Sequence, residues 1–489
     1  GHLVAQNLDR RVMPNDTVKI SVQVPYINNI TDEWECNTLI NKALIESIKN
    51  GGGPVNINIG SLYSTQFPTK ELPQARLINY SNSNNIKDFN LSISSVGIYI
   101  GSSKEFSKEE VLAIEFFCKK FDSVVFCDHT SGYYGKYKIL PSIVCSNFGP
   151  TDSRWDSYIP DLMLHIGEVS GDYSGMRIIK ESKKVWRISD DGEIRDFTKK
   201  LELIYHGNIV SFFNNVNFIV NNSGISFYKK WKNIDNEIRT KFKALNLPFS
   251  NIWIASKIHH LIPKKSVLNL AILNSLRSWN FFELDSTIRT YCNVGGFGID
   301  GCMSTAIGGA LAKKDILHFL IIGDLAFFYD INSTLNRHFP KNLRIILVNN
   351  GGGIEFKNYS HMASGINIDS NEFIAAGGHF NSSSDGSSKI SKPNVRLSNS
   401  IVKGLCDKCN INYYSSDNKK DFLDKMDVLF DDSTKKSVIY EVFTNDWEES
   451  LALKIASNFK KSNIDKLIQE FKGVLPENYK NYFKKILGK

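Results

Sequence analysis

Short apolar runs alternate with amphipathic segments through the middle of the chain. The apolar runs, at 95–100, 123–127, 162–166 and 184–188, have the length and composition of strands. Helical spacing of apolar residues falls between them, at 108–121 and 174–180. Because strands that alternate with helices form parallel sheets covered on both faces, the pattern predicts an α/β fold.

The same alternation returns near residue 266. The runs 316–322 and 343–348 are almost continuously apolar, as strands buried on both faces must be. The residues between them, 325–338, are predicted to form a helical crossover. The carboxyl ends of two such strands meet at one edge of the sheet, which is where ligands collect in α/β folds.

Four units are predicted from these patterns. Residues 1–75 hold a helix at 33–49 and a strand at 55–59, which we interpret as the close of an α/β domain whose beginning precedes the chain. The Asn- and Ser-rich stretch 78–89 is predicted to be a linker. A central α/β domain at 91–221, a charged helical connection at 222–264 and a site-bearing α/β domain at 265–489 follow, the last ending in an amphipathic helix.

Composition narrows the functional classes. The 489 residues carry a formal net charge of +8, but the lysines are scattered among acidic residues, so no nucleic-acid surface is predicted. No apolar run reaches the length of about 18 residues that a membrane span needs, and a cytoplasmic protein is expected. The CxxC at Cys406 and Cys409 has no second ligand pair, which favours buried thiols over zinc.

Polar residues follow both strands of the last unit. Asp324 comes directly after the first apolar run, and Asn350 with a run of glycines follows the second. Mg²⁺ prefers hard oxygen ligands of this kind and takes its other ligands from phosphates and water. Asp324 as a helix cap and the Asn-Gly run as a simple turn form the alternative for each cluster alone. The two together predict a clamp for Mg²⁺ and a diphosphate.

These residues also carry a family resemblance. Gly323-Asp324-Leu325, then 23 residues, then Asn349-Asn350 resembles the metal motif of thiamine-diphosphate-dependent enzymes that act on 2-oxo acids. The glycine-rich segment 293–301, with Ser304-Thr305-Ala306, Tyr329-Asp330 and the segment 52–58, is most similar to the 2-succinyl-5-enolpyruvyl-6-hydroxy-3-cyclohexene-1-carboxylate synthases of menaquinone biosynthesis. The resemblance implies decarboxylation of a 2-oxo acid, with carboligation or protonation of the enamine.

The resemblance also implies roles for single residues. Asp324, Asn350 and the main-chain oxygen of Gly352 would hold Mg²⁺, and Ile299 would be the apolar wedge beneath the cofactor. Phe356 and Arg277 would face the substrate, while His361 and His379 are acid-base candidates, each with a structural role as its alternative. The implied cofactor-binding set is Asn274, Ser275, Gly298, Ile299, Asp300, Gly323, Asp324, Leu325, Ala326, Asn350 and Gly352.

Two departures from the family change the expectation. The menaquinone synthase carries substrate-binding arginines at the positions of Val294 and Trp279, and apolar side chains cannot pair carboxylates. A different 2-oxo acid or acceptor is therefore expected. The glutamate that activates the cofactor would lie ahead of residue 1, since Glu33, Glu35 and Glu46 fall on the closing helix. A second chain would supply it, as family members assemble the site in homodimers or homotetramers.

Two other readings stay open. The segment 296–301 matches the GxGxxG pattern of dinucleotide-binding oxidoreductases, a weak signal when it stands alone. A non-catalytic relative that keeps the fold and binds only the cofactor is the second alternative.

Overall fold

The computed structural model describes residues 13–14, 16–60, 75–82, 92–220, 226–358, 361–365, 393–398, 400–431, 433–434 and 436–460. The first unit is small. Strand β1 (Ser21–Val24) and strand β2 (Asn56–Ile59) pair in parallel, with helix α1 (Ile30–Glu46) between them. Helix α1 begins where the Asn29 side chain accepts hydrogen bonds from the N–H groups of Thr31 and Asp32, so a local cap fixes its start.

The central unit is a seven-stranded parallel sheet in the order β3-β10-β9-β8-β5-β6-β7. Its elements, with a small outer pair β4 and β11, are β3 (Asn79–Asn82), β4 (Ser92–Ile93), β5 (Val96–Ile100), α2 (Lys108–Phe121), β6 (Val124–Cys127), β7 (Lys138–Ile139), α3 (Pro141–Asn147), β8 (Leu162–Ile166), α4 (Arg177–Glu181), β9 (Lys184–Ser189), β10 (Leu201–His206), α5 (Ile209–Asn215) and β11 (Ile219–Val220). All five residues of β5 and of β8 are buried, since helices cover both faces.

Two helices, α6 (Phe227–Lys243) and α7 (Asn251–Ile258), lead to the last unit. That unit is a six-stranded parallel sheet in the order β13-β12-β14-β15-β17-β16. Its elements are β12 (Val267–Leu270), α8 (Asn274–Trp279), β13 (Arg289–Tyr291), α9 (Cys302–Ala312), β14 (His318–Gly323), α10 (Asp324–Tyr329), β15 (Leu343–Asn349), α11 (Pro393–Ser398), α12 (Ile401–Cys409), β16 (Asn412–Ser416), α13 (Lys419–Lys425), β17 (Val438–Phe443) and α14 (Asp446–Asn458).

The two large sheets are joined where α8 ends. The main-chain N–H of His129, just after β6, donates to Oδ1 of Asn280 at 3.1 Å. The His129 ring contacts the main-chain oxygens of Trp279 and Phe282 at 3.2 and 3.0 Å. Burial lowers the pKa of His129 to about 3, so a neutral imidazole makes these contacts. The central unit therefore contacts and stabilises the end of helix α8, which begins with Asn274.

The α/β architecture predicted from the sequence is confirmed, and two local predictions are wrong. The stretch 78–89 was expected to be a linker, but Asn79–Asn82 forms β3 and pairs with β10. The crossover helix expected over 325–338 ends at Tyr329, and a 3-10 turn at Ile331–Leu335 follows it. The predicted C-terminal helix lies outside the described residues, and the domain boundaries remain predictions.

Within the described ranges, no helix combines the length and the apolarity needed to cross a bilayer. The cysteines in those ranges are free thiols, and Cys406, on α12, is fully buried.

Candidate active site

The two predicted polar clusters lie side by side. Strands β14 and β15 pair in parallel through Gly323 and Val348, so Asp324 and Asn350 follow adjacent strand ends. The main-chain N–H of Gly351 donates to Oδ2 of Asp324 at 2.6 Å, which ties the two loops together. Both side chains are almost completely buried, at 1% exposure for Asp324 and 3% for Asn350. The structure thus places a carboxylate and a carboxamide at one edge of the sheet.

The residue before Asn350 is held from two sides. Asn349 donates from Nδ2 to Oε1 of Glu441 at 2.8 Å, and its Oδ1 accepts from Nη1 of Arg396 at 2.7 Å. Glu441, on the neighbouring strand β17, also accepts from Ser400 and Tyr413. Burial raises the pKa of the Glu441 carboxyl. A buried hydrogen-bonded network therefore fixes the end of β15.

A second network lies beside Asp324, at the start of α8. Nδ2 of Asn274 donates to Oε2 of Glu449 at 3.3 Å, while Oε1 of Glu449 accepts from the main-chain N–H of Asn251 at 2.9 Å. The Asn251 side chain in turn donates to Oγ of Ser275 at 3.3 Å. Leu273, which precedes this pair, has φ of 69°, a conformation that bulky residues seldom adopt. The network joins α7, α8 and α14 around the predicted diphosphate residues.

Glu449 has an unusual charge environment. Burial raises the pKa of its carboxyl to about 7, and the charge of Asp324 acts in the same direction. Burial also raises the pKa of the neighbouring Glu448 carboxyl to about 7. Two carboxyl groups of altered proton affinity therefore lie beside the candidate site.

The glycine-rich segment connects β13 to α9. Ile299 is partly buried and packs against the cores on both sides of the sheet, whereas Asp300 is exposed. A Cβ at Gly298 would lie 2.4 Å from Oδ1 of Asp300, so a larger residue there would displace this exposed side chain. Phe297 has φ of 55° and stacks on Tyr173 with ring centroids 6.2 Å apart.

The predicted substrate residues lie nearby. Arg277 forms a two-point ion pair with Glu355, at 2.5 and 2.9 Å. Phe356 lies in the 3-10 turn Ile354–Lys357 and packs edge-on against His361, with ring centroids 5.4 Å apart. Nδ1 of His361 accepts from the main-chain N–H of Ala363 at 3.0 Å. The other acid-base candidate, His379, lies outside the described residues.

A narrow cleft between these elements, too small inside to admit a water molecule, brings Asn274 and Glu355 together. Its walls are Asn274, Ile354, Glu355, Asn358, Glu449, Ser450 and Leu453. Asn274, predicted for the diphosphate side, and Glu355, the neighbour of Phe356, therefore line the same cleft. A second cleft, of about 210 Å³, lies by Cys292 and Cys302 next to the glycine-rich segment.

The two positions at which the family carries arginine are core positions here. Trp279 has no exposed surface, and its Nε1 donates to Oδ1 of Asn251 at 3.3 Å. Val294 is 3% exposed in the same core. Neither side chain lines the cleft beside Asn274.

The alternative of a dinucleotide-binding site does not agree with the order of the strands in the sheet. In that motif the strand before the glycines pairs with the strand that carries the ribose-binding acid. Here β13 precedes the glycines and Asp324 follows β14, but β12 lies between those two strands.

Sequence reasoning missed Glu449, Glu441 and Arg396. Glu441 carried a usable signal, because a charged residue inside the apolar strand Val438–Phe443 requires polar partners. Arg396 and Glu449 carried none, since their partners lie far away along the chain.

The oxygen atoms at these strand ends are suitable ligands for a magnesium ion. The Asp324 carboxylate accepts from the N–H groups of Leu325 and Gly351, and a carboxylate with about four acceptor positions can do this and still bind a cation. No three His, Cys, Asp or Glu side chains of the described ranges converge as in a zinc site. One carboxylate, one carboxamide and main-chain oxygens match the preference of Mg²⁺ for few protein ligands.

Comparison with known proteins identifies several relatives of this chain. No family model matches it. The chain is 31% identical over 385 residues to the 2-succinyl-5-enolpyruvyl-6-hydroxy-3-cyclohexene-1-carboxylate synthase of Bacteroides fragilis, an alignment that covers 73% of this chain and 65% of that protein. It is 27% identical over 472 residues to the synthase of the same name from Bacteroides thetaiotaomicron, covering 93% and 79%.

The synthase of that name from Phocaeicola vulgatus is 29% identical over 397 residues, covering 77% of this chain and 68% of the relative. The chain thus spans slightly less than two thirds of the Bacteroides fragilis protein and somewhat more of the others. These similarities confirm the resemblance predicted from the motifs. The chain is a relative of the 2-succinyl-5-enolpyruvyl-6-hydroxy-3-cyclohexene-1-carboxylate synthases.

Proposed function

We propose that this chain forms the thiamine-diphosphate- and Mg²⁺-binding part of an enzyme that decarboxylates a 2-oxo acid. The part of the 2-oxo acid that remains after loss of CO₂ is then joined to an acceptor or protonated. The observation that carries the proposal is the contact between Asp324 and Gly351, which brings the two halves of the metal motif together. Similarity to three synthases of one name supports the same conclusion.

In this proposal the chain holds the metal with three groups. They are the Asp324 carboxylate, the Asn350 side-chain oxygen and the main-chain oxygen of Gly352. Burial of the first two side chains strengthens their attraction for a cation, because little water screens it. Gly323, Leu325 and Ala326 complete the turn that presents Asp324.

The cofactor would lie between the start of α8 and the glycine-rich segment. Asn274 and Ser275 would contact its diphosphate, and Gly298, Ile299 and Asp300 would lie against its bent centre. When bound, thiamine diphosphate supplies the nucleophilic carbon and the electron sink for decarboxylation. The residues of this chain hold the reacting groups in place and exclude water.

Activation and assembly form a further part of the proposal. We propose that a partner chain contributes the glutamate that activates the cofactor. A cytoplasmic homodimer or homotetramer would bring the two sets of residues together. His361 stays an acid-base candidate within the described residues.

We also propose that the substrates differ from those named for the relatives. The buried side chains of Trp279 and Val294 cannot meet a carboxylate at the positions where arginines are expected. A substrate with fewer carboxylates than the menaquinone intermediates agrees with this loss.

Titration of the purified protein with thiamine diphosphate and Mg²⁺, followed by tryptophan fluorescence, tests the cofactor assignment. We expect Asp324→Ala to weaken binding by roughly 10-fold or more, because a carboxylate ligand of the metal is lost. Asp315→Ala is the matched control, since that exposed residue precedes the opposite end of β14. Equal affinity of the Asp324→Ala variant and wild type would refute the metal assignment.

Release of CO₂ from a panel of 2-oxo acids tests the reaction itself. Cofactor binding without CO₂ release from any acid, in the assembled protein, would identify a non-catalytic relative. Thermal stabilisation by NAD⁺ but not by thiamine diphosphate would favour the dinucleotide alternative.

A further inference from the structure

The guanidinium of Arg277 lies beside the cleft through its ion pair with Glu355, which lines it. Nη1 and Nη2 contact the two carboxylate oxygens of Glu355 at 2.5 and 2.9 Å. The Arg277 guanidinium also lies 4.8 Å from the ring centroid of Tyr173. The two charged side chains are 13% and 20% exposed, so water screens the pair only partly.

A second acid lies close to the same cation. Burial raises the pKa of Asp172 to about 6, and the charge of Arg277 acts against this rise. Asp172 is 2% exposed and lies in the central unit, after β8. Glu355 is therefore the direct partner of Arg277, and Asp172 adds a weaker electrostatic interaction.

The ion pair lies at a boundary inside the cleft. Arg277 follows Asn274 by one turn of α8, and Asn274 and Glu355 both line the cleft. Phe356, predicted to face the substrate, is the residue after Glu355. In the proposed binding mode, a ligand that extends from Asn274 toward Phe356 passes Glu355 in the wall of the cleft.

We propose that Glu355 determines substrate class, so that the site accepts 2-oxo acids with an uncharged side chain and rejects those with a second carboxylate. The inference rests on the proposed function and names the substrate class of that site. Glu355 occupies the fork of the guanidinium that a second carboxylate would otherwise bind.

The physical reason is competition. A dicarboxylic 2-oxo acid gains a partner only by displacing Glu355, and the displaced carboxylate would then remain close to the incoming one. Like charges at such a distance repel, and the site discriminates against the dicarboxylate in this way. A monocarboxylic acid with an alkyl side chain leaves the ion pair intact and contacts Phe356.

The test compares 2-oxopentanoate with 2-oxoglutarate, which have the same chain length and differ in the terminal carboxylate. The readout is the ratio of kcat/KM for CO₂ release from the two acids in the assembled enzyme. We expect wild type to prefer 2-oxopentanoate. Glu355→Gln should shift the ratio toward 2-oxoglutarate by about 10-fold, because the guanidinium becomes available to a carboxylate.

A matched control lies elsewhere in the chain. Glu105 pairs with Arg289 at 2.6 Å, and that guanidinium also lies over a tyrosine ring, Tyr134, at 4.3 Å. Arg289 starts β13, at the opposite end of the sheet from the cleft, so Glu105→Gln should leave the ratio unchanged. The double variant R277Q/E355Q should lose the gain seen in Glu355→Gln, since the gain depends on Arg277.

Three outcomes would overturn the inference: a wild-type preference for 2-oxoglutarate, a ratio that Glu355→Gln leaves within about twofold, or a gain that survives in the double variant. If Glu355→Gln does not fold, R277Q replaces it and should strengthen the preference for 2-oxopentanoate; a weaker preference would refute the idea.

Failure of the proposed function is separable from failure of this inference. Should neither acid release CO₂, the decarboxylase assignment fails, and calorimetric binding of glutarate against pentanoate decides the inference. Tighter binding of glutarate to Glu355→Gln than to wild type supports it. Equal binding of glutarate to the two proteins refutes it.

Discussion

Arg396 donates from Nη1 to both the main-chain oxygen and Oδ1 of Asn349, at 3.0 and 2.7 Å. Its other terminal nitrogen donates to the main-chain oxygen of Thr444, after β17. One buried guanidinium thus joins the ends of two adjacent strands, immediately before Asn350. Arg396 fixes the position of the residue that precedes a proposed metal ligand.

Loss of this guanidinium should loosen the strand ends. We expect Arg396→Leu to lower the free energy of unfolding by about 2–3 kcal/mol, because buried oxygens lose charged donors. The affinity for thiamine diphosphate with Mg²⁺ should fall with it. Urea denaturation and the fluorescence titration measure the two effects, and exposed Arg337→Leu is the control. Unchanged stability and affinity would show that Arg396 does not position this loop.

Glu449 should make stability depend on pH. Burial raises the pKa of its carboxyl to about 7 in the folded protein, whereas an unfolded glutamate titrates near about 4.3. The folded state therefore binds the proton more tightly, so this group's contribution to stability falls as pH rises from about 4 to about 7 and is constant above. The sign is opposite to that of a carboxylate held by a salt bridge.

Glu449→Gln removes this dependence. Relative to wild type, the variant should gain stability as pH rises, reaching roughly 4 kcal/mol above pH 7, the free energy that corresponds to the pKa difference. Urea denaturation at pH 5, 6, 7 and 8 measures the gain, and Glu109→Gln on the exposed side of α2 is the control. A difference that stays flat with pH would contradict the buried-carboxyl assignment.

Trp279 tests whether the family's substrate-binding arginine can be restored. The side chain is fully buried and donates to Asn251, so Trp279→Arg places a charge in the core. We expect a loss of more than about 3 kcal/mol in stability, with no gain in turnover of dicarboxylic 2-oxo acids. Trp279→Phe keeps the apolar ring and should lose much less. A folded Trp279→Arg enzyme with higher activity on 2-oxoglutarate would contradict this structure of the site.

Local patterns were sufficient for many of the elements. The helix predicted at 108–121 is α2 with the same bounds, because Ser107 and Glu110 form a capping box at its start. Strands buried on both faces, such as β8 and β15, are nearly continuous apolar runs in the sequence. Asn79–Asn82 carries no such pattern, since β3 lies at the edge of its sheet and pairs only with β10.

The crossover after β14 shows where a tertiary contact overrides a local pattern. The length of the segment between the two strands favoured a helix to residue 338, but the helix ends at Tyr329. The Asp330 carboxylate accepts from the main-chain N–H and the hydroxyl of Ser304, at 2.6 and 2.5 Å. This bond to α9 holds the chain in a turn where the helix would have continued.

The sequence by itself determined the α/β architecture and the two polar strand ends that hold Asp324 and Asn350, because strand burial and motif spacing are written in neighbouring residues. Only the tertiary structure decided which groups surround them. Glu449 meets Asn274 across 175 positions, Arg396 meets Asn349 across 47, and Glu355 meets Arg277 across 78. Such partners are chosen by the packing of whole elements, and no local pattern of residues encodes them.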